Sequence, residues 1–177
     1  MIQDHRRAMD ALRIVNWFMT PFALVLVMMG IYFGKPDLGS MRLAVVIVMF
    51  TCWANVASLY VLEKHPSRME LIRKTRVVAN YLFNLGLLYL LLPVWKPIWM
   101  LLLLTILAVA IYETREGTIV HAALFTFMLL FVGSLRGMLK GAVLGELIMY
   151  AATIWFAGLF VNALIALNAP KVSGRSA

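Results

Sequence analysis

The stretch EKHPSRMELIRKTR, residues 63–76, separates two long apolar runs of the chain. It holds five Lys or Arg residues, two Glu and one His within fourteen positions. The run before it, 43–62, is twenty residues without a charge, and the run after it, 77–95, is nineteen. A helix needs about 20 consecutive apolar residues to cross a bilayer. The charged stretch therefore predicts a loop between two transmembrane helices.

The composition of the whole chain agrees with this prediction. Of its 177 residues, 63% are hydrophobic and 14% are charged, and the mean hydropathy is +0.90. Soluble domains are typically about 45–50% apolar and about 25% charged. The chain is therefore predicted to be an integral membrane protein with the lipid bilayer as its first partner. The net charge of +8 is not accompanied by basic runs interleaved with aromatic residues, so we expect no nucleic-acid partner.

Counting uncharged windows gives six predicted transmembrane helices in a single all-α domain, 1–177. Their approximate bounds are 14–34, 43–62, 77–95, 97–112, 117–135 and 141–168. The fourth window is the shortest, and it begins at Pro97, a residue that suits the first turn of a helix. The segment PVWKP (93–97) is therefore predicted to be a tight turn. Pro21, in the first window, follows Thr20 and predicts a kink.

The basic residues predict the orientation of these helices. With six spans, eleven of the sixteen Lys and Arg residues lie on the side of the two termini. They are Arg6, Arg7, Arg13, Lys64, Arg68, Arg73, Lys74, Arg76, Arg115, Lys171 and Arg175. Because basic loops stay in the cytoplasm, we expect both termini and residues 63–76 to be cytoplasmic. The predicted location is the cytoplasmic (inner) membrane, with several passes.

Two ionisable residues fall inside predicted spans, where such groups are costly to bury. His121 lies four residues into the fifth predicted helix, close to Glu113 and Glu116, and it is interpreted as a proton relay, as half of a metal site or as an interfacial histidine. Glu146 is interpreted either as a ligand for an ion or substrate, or as a carboxylate paired with Arg136 or Lys140. The sequence places Gly141 and Gly145 beside it as GxxxG, a spacing that allows close helix approach.

Asparagines form a second candidate site. Asn80 and Asn84 are four residues apart in the third helix, and Asn55 and Ser58 are three apart in the second, so each pair shares a helical face. Amide side chains in a membrane turn inward and bond across helices. They predict either hydrogen bonds that hold helices together or a polar pocket between helices two and three. The single cysteine, Cys52, is interpreted as a buried packing residue.

The basic loop is itself a candidate docking or lipid-headgroup patch. Its members are Lys64, Arg68, Arg73, Lys74 and Arg76. Each basic residue near an anionic leaflet contributes roughly 1 kcal/mol of attraction. Within the loop, MELIRK (69–74) could form an amphipathic turn that leads into helix three. The patch is predicted mainly to fix orientation, with docking of a soluble partner as the alternative.

One region resembles a known type of membrane module. Between Arg76 and His121 the chain reads VVANYLFNLGLLYL, LLPVWKPIWM, LLLLTILAVAIY and ETREGT. This order of helix, Pro-bounded turn, helix and charged loop resembles the six-helix membrane modules of bacterial sensor histidine kinases. The glycines and Ser-Pro usual in that connection are absent, so no functional residue is carried over. NAPKVSGRSA (168–177) has no heptad pattern, so a module of this kind is expected to signal by touching another protein.

These observations lead to two functional hypotheses. The first is a non-catalytic sensory or accessory subunit of a larger membrane complex, which acts through contacts with other membrane proteins or with itself. The second is a small-molecule-binding component of a membrane transporter, because size and basic character are similar to the substrate-binding components of energy-coupling-factor vitamin transporters. No nucleophile–base pair, phosphate-binding loop or metal-ligand cluster is evident, so neither an enzyme nor a metal site is predicted, and the sequence does not identify a cofactor.

Overall fold

Helices form nearly all of the described chain in the computed structural model, which describes residues 15–65 and 69–168. Within these residues there are six α-helices and no strand. They are α1 (Thr20–Gly34), α2 (Leu38–Lys64), α3 (Met69–Leu91), α4 (Met100–Tyr112), α5 (Arg115–Leu135) and α6 (Gly141–Asn168). A π-helical turn, Val15–Met19, precedes α1, and a 3-10 helix, Lys96–Trp99, precedes α4. The all-α prediction is confirmed.

Four of the described helices are long and apolar enough to cross a membrane. These segments are Trp17–Gly34, Leu38–Leu62, Arg115–Leu135 and Gly141–Leu167. The segment Lys96–Ile111 is apolar but shorter. Helix α3 has 23 residues, but its first two turns carry Glu70, Arg73, Lys74 and Arg76. Long apolar helices of this kind are typical of a membrane protein.

The predicted windows match the six helices in order but not in all their ends. Helix α2 begins at Leu38 instead of residue 43, and α3 covers Met69–Leu91 instead of 77–95. Backbone hydrogen bonding continues through charged residues at a helix end, so a count of uncharged residues stops too early. The MELIRK segment is helical, as predicted, because α3 begins at Met69. The predicted first helical residue, 14, lies outside the described residues.

Two prolines act at helix starts. Pro21 lies in the first turn of α1, directly after the π-helical turn Val15–Met19, and it has no N–H to donate to a carbonyl of that turn. The irregularity predicted at Pro21 is present as this π-helical turn. Pro97 lies at the start of the 3-10 helix that leads into α4. The predicted turn before Pro97 is present at residues 92–95, where the Trp95 N–H bonds to the Leu91 carbonyl at 2.8 Å.

Helix α2 starts early because Asp37 caps it. The Asp37 carboxylate accepts hydrogen bonds from the backbone N–H and the hydroxyl of Ser40. An aspartate at this position satisfies N–H groups that have no partner within the helix. The Ser40 hydroxyl first, and then the Ser40 backbone N–H, hold the pKa of the Asp37 carboxyl below its ordinary value. Arg42, which the window count left in a loop, consequently lies inside α2.

The connections fall at two opposite ends of the bundle. The Trp95 end contains residues 35–37, 92–95 and 136–140, because Gly34 lies against Trp95 and the Lys96 ammonium meets the Glu146 carboxylate. The His65 end contains the residue that ends α2, the α4–α5 connection and the end of α6. There the Asn162 amide donates to the Glu113 carbonyl at 3.0 Å. Successive helices therefore alternate in direction along the bundle.

The helices form two groups. Helices α2 and α3 pack along each other as a hairpin, while α6 packs along both α4 and α5. The two groups meet through fewer contacts, chiefly of α3 with α5 and of α1 with α3 and α4. The boundary between the hairpin and the α4–α6 group, with α1 lying across it, is called the seam below. Leu88, Leu91, Leu102 and Ile106 are fully buried near it.

Glycine allows a close helix approach at Gly158 of α6. A Cβ atom added there would lie 2.7 Å from Ile106 Cγ1 of α4 and 3.2 Å from Thr118 Cγ2 of α5. The GxxxG pair behaves differently from its prediction. Gly141 has φ +52 and starts α6, and a Cβ on either Gly141 or Gly145 would meet no atom within 4 Å. Among the described residues, this pair therefore does not bring two helices together.

Replacing Gly158 by Ala is expected to destabilise the bundle by about 1–3 kcal/mol, because the added methyl group overpacks the contact with Ile106. Gly145→Ala is the matched control, since the same methyl group enters open space on the same helix. Its stability is expected to equal or slightly exceed that of the wild type. Thermal unfolding in one detergent would measure both variants. Equal melting temperatures for Gly158→Ala and the wild type would contradict the packing described here.

Candidate functional site

A polar cavity lies at the seam, between α1, α2, α3 and α4. Its volume is about 90 Å³. Its polar lining consists of Thr20, Thr51, Cys52, Asn55, Arg76, Asn80, Asn84 and Thr105. Apolar residues of all four helices, such as Leu24, Val48 and Leu104, complete the wall. The three asparagines proposed from sequence thus lie around one cavity, and it extends beyond helices two and three to α1 and α4.

A chain of hydrogen bonds crosses the cavity near the His65 end. The Arg76 guanidinium donates through Nη2 to Asn55 Oδ1 at 3.2 Å. The Asn55 amide donates in turn through Nδ2 to the Thr20 hydroxyl, also at 3.2 Å. This chain joins α3, α2 and α1 through side chains alone. Ser58, which shares a face with Asn55, instead donates its hydroxyl to the Asn55 backbone carbonyl.

A second hydrogen bond closes the seam deeper in the bundle. Asn84 Nδ2 of α3 donates to the Thr105 hydroxyl of α4 at 2.8 Å, and that hydroxyl donates to the Leu101 carbonyl. Asn55 and Asn84 each expose only 8% of their surface. A buried amide without partners is costly, so these bonds fix where α3 sits against α4.

Asn80 differs from the other two asparagines. It lies one turn after Arg76 and one turn before Asn84, so the three residues follow one another along the same face of α3. Its side chain is half-buried and lines the cavity. No residue in the ranges 15–65 and 69–168 forms a hydrogen bond with its amide. Asn80 therefore has a donor and an acceptor available for a molecule inside the cavity.

Four residues that line the cavity are not predicted as site residues from the sequence. Thr20 is linked there only to the Pro21 kink and Cys52 only to packing, and the sequence gives no prediction for Thr51 and Thr105. Thr51 donates its hydroxyl to the Ile47 carbonyl, which keeps its side chain against its own helix. Cys52 is half-buried and is one of the residues that line the cavity. Thr51 could have been predicted from its position four residues before Asn55, because this spacing places both side chains on one face of α2.

Arg76 belongs to the cavity and not to an outward-facing patch. Of the predicted docking patch, Lys64 and Lys74 are exposed, and the Lys64 ammonium lies 4.4 Å from the centre of the Tyr60 ring. Arg76 is turned inward to Asn55. Arg68 lies outside the described residues, and so does the side chain of Arg73.

His121 lies apart from the polar cavity. Its Nδ1 atom is hydrogen-bonded to the Tyr81 hydroxyl of α3, and the two rings stack with centroids 5.7 Å apart. Tyr81 also packs against Phe125, the next residue along the same face of α5. This contact joins the hairpin to α5, so His121 contributes to the seam. Tyr81 was not identified from the sequence.

Glu146 lies at the Trp95 end, far along α6 from the residues at the His65 end. Its carboxylate pairs with the Lys96 ammonium at 2.5 Å, and not with Arg136 or Lys140 as the sequence interpretation proposed. Arg136 instead lies over the Tyr89 ring, with its Cζ 4.8 Å from the ring centre. Lys96 is the partner of Glu146 because the α3–α4 turn folds over the start of α6.

A double-mutant cycle on Asn84→Ala and Thr105→Val is expected to give a favourable coupling energy. Hydrogen bonds between membrane helices average about 0.6 kcal/mol by such cycles, with a maximum near 1.7 kcal/mol. Chemical or thermal unfolding in detergent would supply the four stabilities. Thr153→Val is the matched control, because the Thr153 hydroxyl is exposed and bonds only within α6. Strictly additive effects of the two substitutions would contradict the contact.

The arrangement is suited to binding. It offers hydrogen-bond donors and acceptors from four helices to a small molecule enclosed in an apolar bundle. Within residues 15–65 and 69–168, no three His, Cys, Asp or Glu residues lie close enough together to hold a metal ion. Comparison of the chain with protein-family models, with curated proteins and with solved structures gives no match.

Proposed function

We propose that the chain is a six-span membrane protein with both termini in the cytoplasm. The alternation of the helices between two ends supports this topology, as does the distribution of basic residues. Lys64, Lys74 and Arg115 lie at the His65 end, and the six-span count assigns eleven of the sixteen Lys and Arg residues of the sequence to their side. The positive-inside rule then assigns the His65 end to the cytoplasm. Helix α4 with its 3-10 extension supplies the shortest crossing.

Single cysteines introduced into a Cys52→Ala background would test this topology with a membrane-impermeant maleimide. Lys35→Cys and Lys140→Cys are expected to react in intact cells, because both belong to the Trp95 end. Lys64→Cys and Arg115→Cys should react only after the membrane is opened. The Cys52→Ala protein serves as the control for background labelling. Lys96→Cys, between α3 and α4, decides whether both of these helices cross: it is expected to react in intact cells, and reaction only after the membrane is opened would show that they do not.

The proposed activity is that of a non-catalytic sensory or accessory subunit of a larger membrane complex. The observation that carries it is the position of the polar cavity at the seam between two helix groups. Because the Asn84–Thr105 hydrogen bond spans the seam there, an event that breaks it would shift the hairpin against the α4–α6 group. Switching proteins commonly use small movements of packed helices in this way.

The seam cavity is small for the solute site of a transporter component. Sites for vitamin-sized ligands are typically about 300–1,000 Å³, and the seam cavity has about 90 Å³. A second, open groove of about 710 Å³ lies along α6 beside Arg115, so the transporter component is kept as the second candidate.

The exposed basic residues at the His65 end provide the proposed docking patch. We expect gentle detergent extraction from the native membrane to recover the chain with stoichiometric protein partners, identified by mass spectrometry. Arg73→Glu with Lys74→Glu should reduce the recovery of a partner that docks there. Lys35→Glu with Arg42→Glu is the matched charge reversal at the Trp95 end and should leave recovery unchanged. An isolated monomer that carries a stoichiometric small molecule would overturn the subunit proposal.

A further inference from the structure

The open groove along α6, called the α6 groove below, is a second concave surface of the molecule. It shares no lining residue with the seam cavity. The residues that line it are Arg115 of α5 and, on α6, Phe156, Leu159, Phe160, Asn162, Ala163, Ala166 and Leu167. Apart from Arg115 and Asn162, all of these side chains are apolar. The groove therefore combines one charged group with a long hydrophobic wall.

The α4–α5 connection places Arg115 at the His65 end of this groove. The Asn162 amide donates to the Glu113 carbonyl at 3.0 Å, and this bond holds α6 against the segment that leads into Arg115. Between Phe156 and Leu167 an α-helix rises about 16 Å, at about 1.5 Å per residue. The hydrocarbon core of a bilayer is about 30 Å thick, so one leaflet supplies about 15 Å. The groove therefore has the length of one leaflet, with its charge at the membrane surface.

The wall of the groove presents its apolar side chains outward. Phe156, Phe160 and Leu167 are exposed, and the two phenylalanine rings stack with their centroids 5.7 Å apart. The rings form a ridge along α6, and the small side chains of Ala163 and Ala166 leave a depression beside it. A hydrocarbon chain that lies in this depression gains van der Waals contact with the ridge and with the helix.

Arg115 is the one charged side chain among the described residues that line the groove. It is exposed, and within residues 15–65 and 69–168 no carboxylate forms an ion pair with it, although Glu113 and Glu116 are close in sequence. It is also the first residue of α5, where the positive end of the helix dipole disfavours a cation. Helix stability therefore does not account for an arginine at this position. A guanidinium group is well suited to bind phosphate oxygens through two parallel hydrogen bonds.

We propose that the α6 groove binds one anionic phospholipid, with the lipid phosphate at Arg115 and one acyl chain along Phe156 and Phe160. The groove requires a ligand that is apolar over one leaflet and negative at the membrane surface, and an anionic phospholipid has both properties. A zwitterionic lipid carries a cation beside its phosphate, which Arg115 repels. Basic sites between membrane helices commonly bind anionic headgroups. The lipid site goes beyond the subunit proposal, because it is expected whether or not a protein partner docks.

Native mass spectrometry of the full chain in a neutral detergent tests this proposal. Phosphatidylglycerol and phosphatidylcholine with the same acyl chains would be added in equal amounts, and the chains that retain one lipid of each kind would be counted. Phosphatidylglycerol is expected to be retained about fivefold more often, the ratio that one basic residue beside an anionic lipid provides. Equal retention of the two lipids would overturn the proposal.

Two pairs of variants assign the lipid preference to the groove. Arg115→Gln should abolish the preference, whereas Lys64→Gln removes a cation at the same end, on a helix that does not line the groove, and should keep it. Ala163→Trp fills the groove and should reduce the retention of phosphatidylglycerol. Ala152→Trp adds the same ring to α6 outside the groove and should change nothing. All four residues are exposed, so we expect wild-type melting temperatures. An unchanged preference in Arg115→Gln, or equal losses in the two tryptophan variants, contradicts the site.

Other occupants of the groove would be recognised in the same spectra. A water-soluble solute would appear as a small retained mass, and a second copy of the chain would appear as a dimer that Ala163→Trp weakens. Either result without a preference for phosphatidylglycerol overturns the proposal. Recovery of protein partners from the native membrane is a separate measurement, so failure of lipid binding and failure of the subunit proposal give different results.

Discussion

A polar side chain inside an apolar bundle must find its hydrogen bonds within the protein, because lipid offers none. The arrangement of α1 to α4 depends on this constraint. Asn55 and Asn84 are nearly buried, and each is satisfied by a threonine on another helix. Arg76 is drawn inward by the same chemistry, and it joins α3 to α2. The positions of these helices are therefore fixed by few, specific contacts.

Close packing and side-chain hydrogen bonds together fix the other half of the bundle. Gly158 lets α6 approach α4 so closely that no side chain fits between them, and Phe125, Leu129 and Leu147 are fully buried in this group. The Trp155 indole donates to the Thr126 hydroxyl of α5, and the Asn162 amide donates to the Glu113 carbonyl. Both halves therefore combine apolar contact with a few hydrogen bonds, and the polar cavity lies where they meet.

The other two candidate polar residues, His121 and Glu146, form contacts between helices. His121 meets Tyr81 across the seam, and Glu146 meets Lys96 where the α3–α4 turn folds over the start of α6. Neither residue lines the polar cavity. Of the five candidate polar residues, three asparagines therefore line the cavity, and His121 and Glu146 connect helices elsewhere. The functional proposals accordingly rest on the cavity and on the exposed basic residues near it.

The sequence by itself determined the class of the protein, the number and order of its helices, and the turn before Pro97, because these follow from runs of apolar residues and local backbone preferences. Helix ends were predicted less well where a cap such as Asp37 extends a helix beyond its uncharged run. The asparagines were identifiable because their spacing places them on one helical face. Their partners Thr20 and Thr105, the pairing of Glu146 with Lys96, and the inward turn of Arg76 were decided only by the tertiary structure. Each of these joins residues far apart in the chain, and helical periodicity contains no information about which face of one helix meets another.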